Sequence, residues 1–215
     1  MLYLTRLSLN LRNRQAQRDL ANRYELHRTV LRGFPQALPA DERILYRVEE
    51  DVRSGVVTIL LQSLNLPDWQ ALPASYLLQP AEVKPFPVAF SAGQMLHFRL
   101  LANPTRRIKT PSSADGEELA SKRVGLLKEE QQLQWLARKA EACGFQLLGV
   151  RSAKQPDVIG WQSKGKDSRR LTFQSVLFDG VLQVTEPDLF TQALKNGIGP
   201  AKGFGFGLLS LAKAG

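Results

Sequence analysis

Cysteine and histidine are almost absent from this chain: Cys143 stands alone, and His27 and His97 lie seventy positions apart. One thiol cannot form an internal disulfide, so nothing marks an oxidising compartment. Neither histidine has a partner at zinc-ligand spacing. The carboxylates are scattered or fall in pairs, Glu117-Glu118 and Glu129-Glu130, on expected helix surfaces, so no magnesium site is indicated either. We expect no metal and no cofactor. No apolar run approaches the roughly 18 residues of a membrane span. Met1 to Asn10 lacks the charged region and apolar core of a signal peptide. A cytoplasmic protein that avoids the membrane is expected. Nucleophilic triads find no support, because there is no Gly-x-Ser-x-Gly and Cys143 has no basic setting.

What the chain does have is positive charge. It carries 29 Lys and Arg against 20 Asp and Glu, a formal net charge of +9 over 215 residues. Such a balance favours an anionic partner, nucleic acid first. Five of the sixteen glycines fall between Gly197 and Gly207, around Lys202 and two phenylalanines. Glycine tolerates φ > 0 and lets another backbone approach. The N–H groups of Gly199, Gly203 and Gly205 could form a nest for phosphate oxygens, with Lys202 as a point charge. A plain structural bridge from helix to strand is the alternative. The order helix, glycines, strand excludes a P-loop or dinucleotide fingerprint, which need strand, glycines, helix.

Element signals run β-α-β-β and then β-α-β-β-α-β. Leu2–Leu9 reads as a strand, and a basic, loosely patterned stretch with Arg12, Arg14 and Arg18 follows. Asn22 opens a helix, with Glu25 placed for a capping box and Gly33 as the C′ residue. Residues 43–48 and 56–63 are strands. Pro67, Pro73, Pro80, Pro85 and Pro87 then leave room only for a short irregular helix, a brief edge strand and a linker. Residues 94–101 form a strand and 103–125 a loop. A helix spans 129–142, with Leu133, Leu136, Ala137 and Ala140 on its apolar side. Strands 145–150 and 171–185, a helix from Pro187 and a last strand complete the set. The fold class expected is α+β, two tandem ferredoxin-like (RRM-like) βαββαβ domains, residues 1–90 and 91–215. Between strands 145–150 and 171–185 lies a one-sidedly basic hairpin with Arg151, Lys164, Lys166, Arg169 and Arg170. Its guanidinium and ammonium groups suit phosphates along a nucleic-acid groove; a solvated surface loop is the plain alternative.

Acid–base chemistry points to the helix opened by Asn22. Tyr24 and His27 sit one turn apart on one face, with Arg28 beside them. Histidine moves protons near neutral pH, and arginine can offset charge developing on phosphorus. These groups suffice for a metal-free ribonuclease in which a ribose 2′-hydroxyl attacks the adjacent phosphorus. His27 also falls inside the apolar arc of Leu26, Val30, Leu31 and Phe34, so a packed core histidine is the competing reading. His97, in a strand run, reads as structural.

Several stretches together resemble the CasE family, the precursor-RNA endoribonucleases of type I-E CRISPR systems that are also Cascade subunits. They are Leu2-Tyr3-Leu4-Thr5-Arg6-Leu7, Asp19-Leu20-Ala21-Asn22, Tyr24-Glu25-Leu26-His27-Arg28, and Phe98-Arg99-Leu100-Leu101-Ala102-Asn103-Pro104. Gln134-Trp135-Leu136-Ala137-Arg138-Lys139, Gly197-Ile198-Gly199-Pro200-Ala201-Lys202 and Gly205-Phe206-Gly207-Leu208-Leu209-Ser210 complete the set. The resemblance implies cleavage at the 3′ base of a repeat hairpin, a 2′,3′-cyclic phosphate on the upstream product, and other Cascade subunits as partners. It implies that His27 is catalytic and that Tyr24 assists. Arg23 departs from the family, where a proline often starts this helix. An arginine at the positive end of a helix dipole is unfavourable unless it meets a phosphate, so Arg23 joins the expected RNA contacts. Two rivals remain: a non-catalytic RNA-binding scaffold on the same fold, and a peripheral membrane protein. The latter needs an amphipathic helix with a lysine-rich face, and the best candidate, residues 128–142, carries too many acidic groups.

Overall fold

The computed structural model describes residues 1–40, 42–110, 120–164 and 167–214. Ten strands and four helices make two four-stranded antiparallel sheets and a separate two-stranded ribbon among those residues. The first sheet is built from β1 (Leu2–Ser8), β2 (Leu45–Glu50), β3 (Val57–Ser63) and β4 (Glu82–Phe86), in the order β2-β3-β1-β4. The second uses β5 (Met95–Ala102), β8 (Phe145–Lys164), β9 (Asp167–Val184) and β10 (Leu209–Lys213), in the order β10-β5-β9-β8. Both place the first and third strands of their set in the centre and the second and fourth at the edges. That is the ferredoxin-like arrangement, met twice.

Helices α1 (Arg14–Ala21) and α2 (Arg23–Leu31) cover one face of the first sheet. Leu26 and Val30 of α2 pack there with Leu7, Tyr46, Ile59 and Leu61. The second crossover of this unit is only a 3₁₀ turn, Trp69–Ala71, and β4 is an edge strand, as the proline density requires. In the second unit, α3 (Glu129–Ala142) and α4 (Pro187–Asn196) close over Phe98, Leu100, Phe178 and Leu182. Strict alternation in β5 buries Leu96, Phe98, Leu100 and Ala102 and leaves His97 exposed.

The two cores touch. Leu2 is buried in the second core, and Phe90 meets Phe190 edge-on at 4.8 Å. Leu45, Arg47 and Gln62 lie on the face of the first sheet opposite its helices, and all three reach the second unit. Gly197 packs on Leu45, Gln62 Nε2 donates to the Leu194 carbonyl at 2.7 Å, and Arg47 donates to Ser210 Oγ at 3.0 Å. Arg47 is 2% exposed and paired with Glu49 at 2.7 Å, while Glu49 also faces Arg99 at 3.7 Å. A buried cation so fully engaged fixes the mutual placement of the sheets, because removing any partner strands a charge.

Five expectations need correction. The basic stretch after β1 is helical: α1 is capped by Asn13, whose side chain accepts from the Gln15 and Ala16 N–H groups. It escaped the periodicity test because Ala16 is the one apolar residue that it fully buries. Its other buried residue, Asp19, accepts from the Tyr76 hydroxyl at 2.8 Å. Residues 103–125 are not a plain loop, for β6 (Thr105–Thr110) pairs with β7 (Ala120–Gly125). Glu25 does not complete a capping box; it pairs with Arg28 at 3.1 Å. Gly33 ends α2 without a positive φ, its missing Cβ instead admitting the Trp69 ring. The buried side of α3 runs through Gln132, Trp135, Leu136 and Ala140, leaving Ala137 exposed, because the large indole governs the helix rotation.

Candidate active site

Asn22 sets the start of α2 and more besides. Its extended backbone separates α1 from α2, and its Oδ1 accepts from the Tyr24 N–H at 3.2 Å. The same Oδ1 accepts from the Trp161 N–H at 2.8 Å, while Nδ2 donates to the Trp161 carbonyl at 3.3 Å. One amide therefore caps the helix that carries His27 and clamps a backbone unit of the long hairpin. Gly160 permits this approach: a Cβ there would lie 2.6 Å from Phe204 and 3.7 Å from the Tyr24 nitrogen.

His27 emerges one turn into α2, half-buried, with its ring stacked on Tyr46 at 6.1 Å between centroids and 14° between planes. On its Nε2 side lies the glycine-rich loop, where a Cβ on Gly203 would fall 3.3 Å from that nitrogen. The Tyr46 hydroxyl donates to the Gly203 carbonyl at 2.8 Å and approaches the Arg23 carbonyl at 3.5 Å. It thereby pins the loop against the first turn of the helix. His27 Nδ1 is buried with no hydrogen-bond partner among the described residues. A packed histidine kept for stability would ordinarily satisfy that nitrogen. Burial holds the imidazole below the ordinary histidine value, so it is neutral and able to accept a proton at neutral pH.

Arg23 lies beside this centre. Its Nη1 is buried and unpartnered among the described residues, and burial lowers its affinity for the proton, partly offset by Tyr46. Its side chain lines a cleft of ≈720 Å³ between the two sheets, together with Arg47, Gln155 and Ser175. Burial likewise pushes the Tyr46 phenol upward, against the pull of Arg23. The Tyr46 hydroxyl is thus a neutral donor and no proton acceptor.

The expected site residues divide into groups. His27 and Gly203 come together, with Tyr24 and Arg23 on the same first turns of α2. Arg28 is exposed and paired with Glu25. Gly199, at φ +87°, lies on the Trp135 indole, and Gly205, at φ +91°, is buried against Tyr46 with its N–H donated to the Lys202 carbonyl. Lys202 lines a different cavity, beyond the loop from His27. Arg151 stands exposed opposite Asp179 on the arm formed by β8 and β9, while Arg169 and Arg170 are exposed towards its tip. Arg170 lies over the Trp161 ring at 6.0 Å. Lys164 ends β8, and Lys166 lies outside the described residues. Sequence reasoning missed Tyr46 and Asn22 as site residues. Alternation along β2 marks Tyr46 as a facing residue, but nothing local says that a loop from the other end of the chain meets it. Among the described residues, no three His, Cys, Asp or Glu side chains converge, and no helix is long and apolar enough to cross a membrane.

Comparison with known proteins identifies the family. A family model for CRISPR associated proteins matches residues 2–213. The CRISPR-associated endoribonuclease Cse3 of Thermus thermophilus is 39% identical over 98% of this chain and 100% of its own length. The CRISPR system Cascade subunit CasE of Escherichia coli K12 is 32% identical over 91% of this chain and 92% of its own. The structure of Thermus thermophilus Cse3 bound to an RNA representing a pre-cleavage complex superposes with a TM-score of 0.81 at 37% identity, covering 98% of each chain. The chain belongs to the CasE (Cse3) family of CRISPR-associated proteins.

Proposed function

We propose that this protein is a metal-independent endoribonuclease that binds CRISPR repeat hairpins and cuts at the 3′ base of the stem. The 2′-hydroxyl of the nucleotide 5′ of the cut attacks the adjoining phosphorus, and the P–O5′ bond breaks. The products are a 2′,3′-cyclic phosphate and a 5′-hydroxyl. His27, half-buried and neutral, supplies the acid–base chemistry with the assistance of Tyr24 on the same turn of helix: one proton leaves the attacking 2′-hydroxyl and one is delivered to the departing 5′-oxygen. One observation carries the reading: the loop of one unit brings Gly203 beside a histidine on the other, where a Cβ would fall 3.3 Å from Nε2, and the second ring nitrogen of that histidine has no partner among the described residues. The seam gives a phosphate a place beside an acid–base group, with Arg23 available to its charge.

RNA is held in this reading by Arg23, Arg28, Arg151, Lys164, Lys166, Arg169, Arg170 and Lys202, and by the loop backbone at Gly199 and Gly203. Gly205 contributes through the turn it allows, since its N–H is used within the loop. The division falls at residues 1–90 and 91–215, between the end of β4 at Phe86 and the start of β5 at Met95. The cut RNA is retained and the protein joins other Cascade subunits in the cytoplasm, as the likeness to CasE supports. Cleavage of a repeat hairpin in excess EDTA tests the mechanism, alongside a substrate with a 2′-deoxy nucleotide just 5′ of the cut. Full activity with chelator and none on the deoxy substrate is expected. Activity lost to EDTA and restored by magnesium, or normal cutting of the deoxy RNA, would overturn it.

A further inference from the structure

The ribbon of β6 and β7 carries an arrangement that the His27 centre does not use. Arg107 and Arg123 are direct cross-strand partners, a like-charge pairing that ordinarily costs stability. Both line a cavity of ≈460 Å³ with Lys139 of α3 and Lys202 of the glycine-rich loop, and no carboxylate is among its lining residues. None of the four cations makes an ion pair or a side-chain hydrogen bond among the described residues; five such ion pairs form elsewhere, none at this cavity. Lys202 is half-buried, and its ammonium is pushed down by burial first and then by Lys139, Arg43 and Arg123. Four convergent cations with no counter-charge among the described residues are a site prepared for an anion.

Position says which anion. Lys202 and Gly203 are adjacent in sequence, yet Gly203 lies beside His27 while Lys202 lines this cavity. The loop therefore borders both. On its other side, Gly160 of the long hairpin packs against Phe204 and the start of α2. In the endoribonuclease reading the scissile strand lies at His27, and RNA continuing past the cut would then have to cross the loop to leave the centre on this side. We propose that this cavity is a second phosphate-binding subsite, for the single-stranded RNA on the 3′ side of the cut. The inference rests on the endoribonuclease reading above.

The test compares two uncleavable 2′-deoxy hairpins, one ending at the cut and one with a short single-stranded 3′ tail, over a range of salt concentration. Binding of the full-length protein is measured for wild type, for Arg107→Gln with Arg123→Gln, and for Lys139→Gln. Both arginines are exposed, so the double variant should fold. The tail should strengthen wild-type binding and steepen the slope of log affinity against log salt. The double variant should lose most of that gain, with the slope falling by about 0.7 for each single-strand phosphate released. Lys139→Gln should lose part of it, and the tail-less hairpin should bind all three proteins alike. A tail contribution that survives intact, or an equal loss on both RNAs, would overturn the proposal. So would a gain that needs a 5′ tail, or variants that bind RNA normally but fail to assemble with other Cascade subunits, which would mark an acidic protein partner instead. Wild-type protein that binds the tailed RNA but never cuts its all-ribose form would fail the endoribonuclease reading and leave the subsite standing.

Discussion

The two sheets share one strand order and differ in what they expose. The first unit compresses its second crossover to a 3₁₀ turn and places two helices in its first, the second of which presents His27, half-buried and neutral. The second unit keeps both helices, inserts the β6–β7 ribbon and extends β8 and β9 into arms of 20 and 18 residues. Its contribution is exposed cations and a glycine-rich loop. In the proposed reading the first unit supplies proton transfer and the second phosphate binding, and the loop's return onto Tyr46 and His27 brings them together. Changes in the first unit should act on rate, and changes on the arms of the second should act on affinity.

Gly203→Ala should break that separation most visibly, because it lies in the second unit yet touches the imidazole. The residue lacks a positive φ, so alanine fits the backbone, but its Cβ would sit 3.3 Å from His27 Nε2. Small misplacements at reacting groups cost up to about a hundredfold. A single-turnover rate reduced roughly ten- to a hundredfold, with hairpin affinity little changed, is expected. Weaker binding at an unchanged rate would show that the loop serves RNA capture alone. Replacing Arg169 and Arg170 together with alanine should do the converse. The salt slope for a duplex hairpin should flatten by about 0.9 for each phosphate that is no longer neutralised, and the cleavage rate at saturating protein should hold. An unchanged slope would place the pair away from the RNA.

Asn22→Ala should have the smallest effect, and it measures how the units are tied. It removes a helix cap worth about 1 kcal/mol and the clamp on Trp161. Asn22→Ser keeps a capping oxygen but is too short to hold the hairpin. Thermal unfolding should show the serine variant between alanine and wild type. If serine matches wild type, the Trp161 contact contributes nothing.

Much of this is legible in the sequence where the signals are local. The bounds of α3 follow from its polar flanks and Gly144, the edge strand from proline, and the helix of His27 from Asn22. The α1 helix is hidden because its buried side relies on a small residue and a hydrogen-bonded aspartate rather than on an apolar stripe. The β6–β7 ribbon is hidden because its adjacent basic pairs, Arg106-Arg107 and Lys122-Arg123, look like solvated loop. Tyr46 is beyond reach, since its partner Gly203 is 157 positions away. Long-range pairs leave no periodic trace. The candidate site is thus half readable: His27 lies on a marked helix, but the loop that meets it arrives from the far end of the chain.

The most direct measurement is His27→Ala, followed for folding, hairpin affinity and single-turnover cleavage. Removing one acid–base group typically costs about 10²–10⁴-fold in rate, whereas the excess of positive charge that holds RNA is untouched. A folded variant is expected that binds the hairpin within a few-fold of wild type and cleaves it at a rate reduced by about that factor. A folded variant that binds and cuts at the wild-type rate would contradict a catalytic His27, and would place the catalytic centre elsewhere.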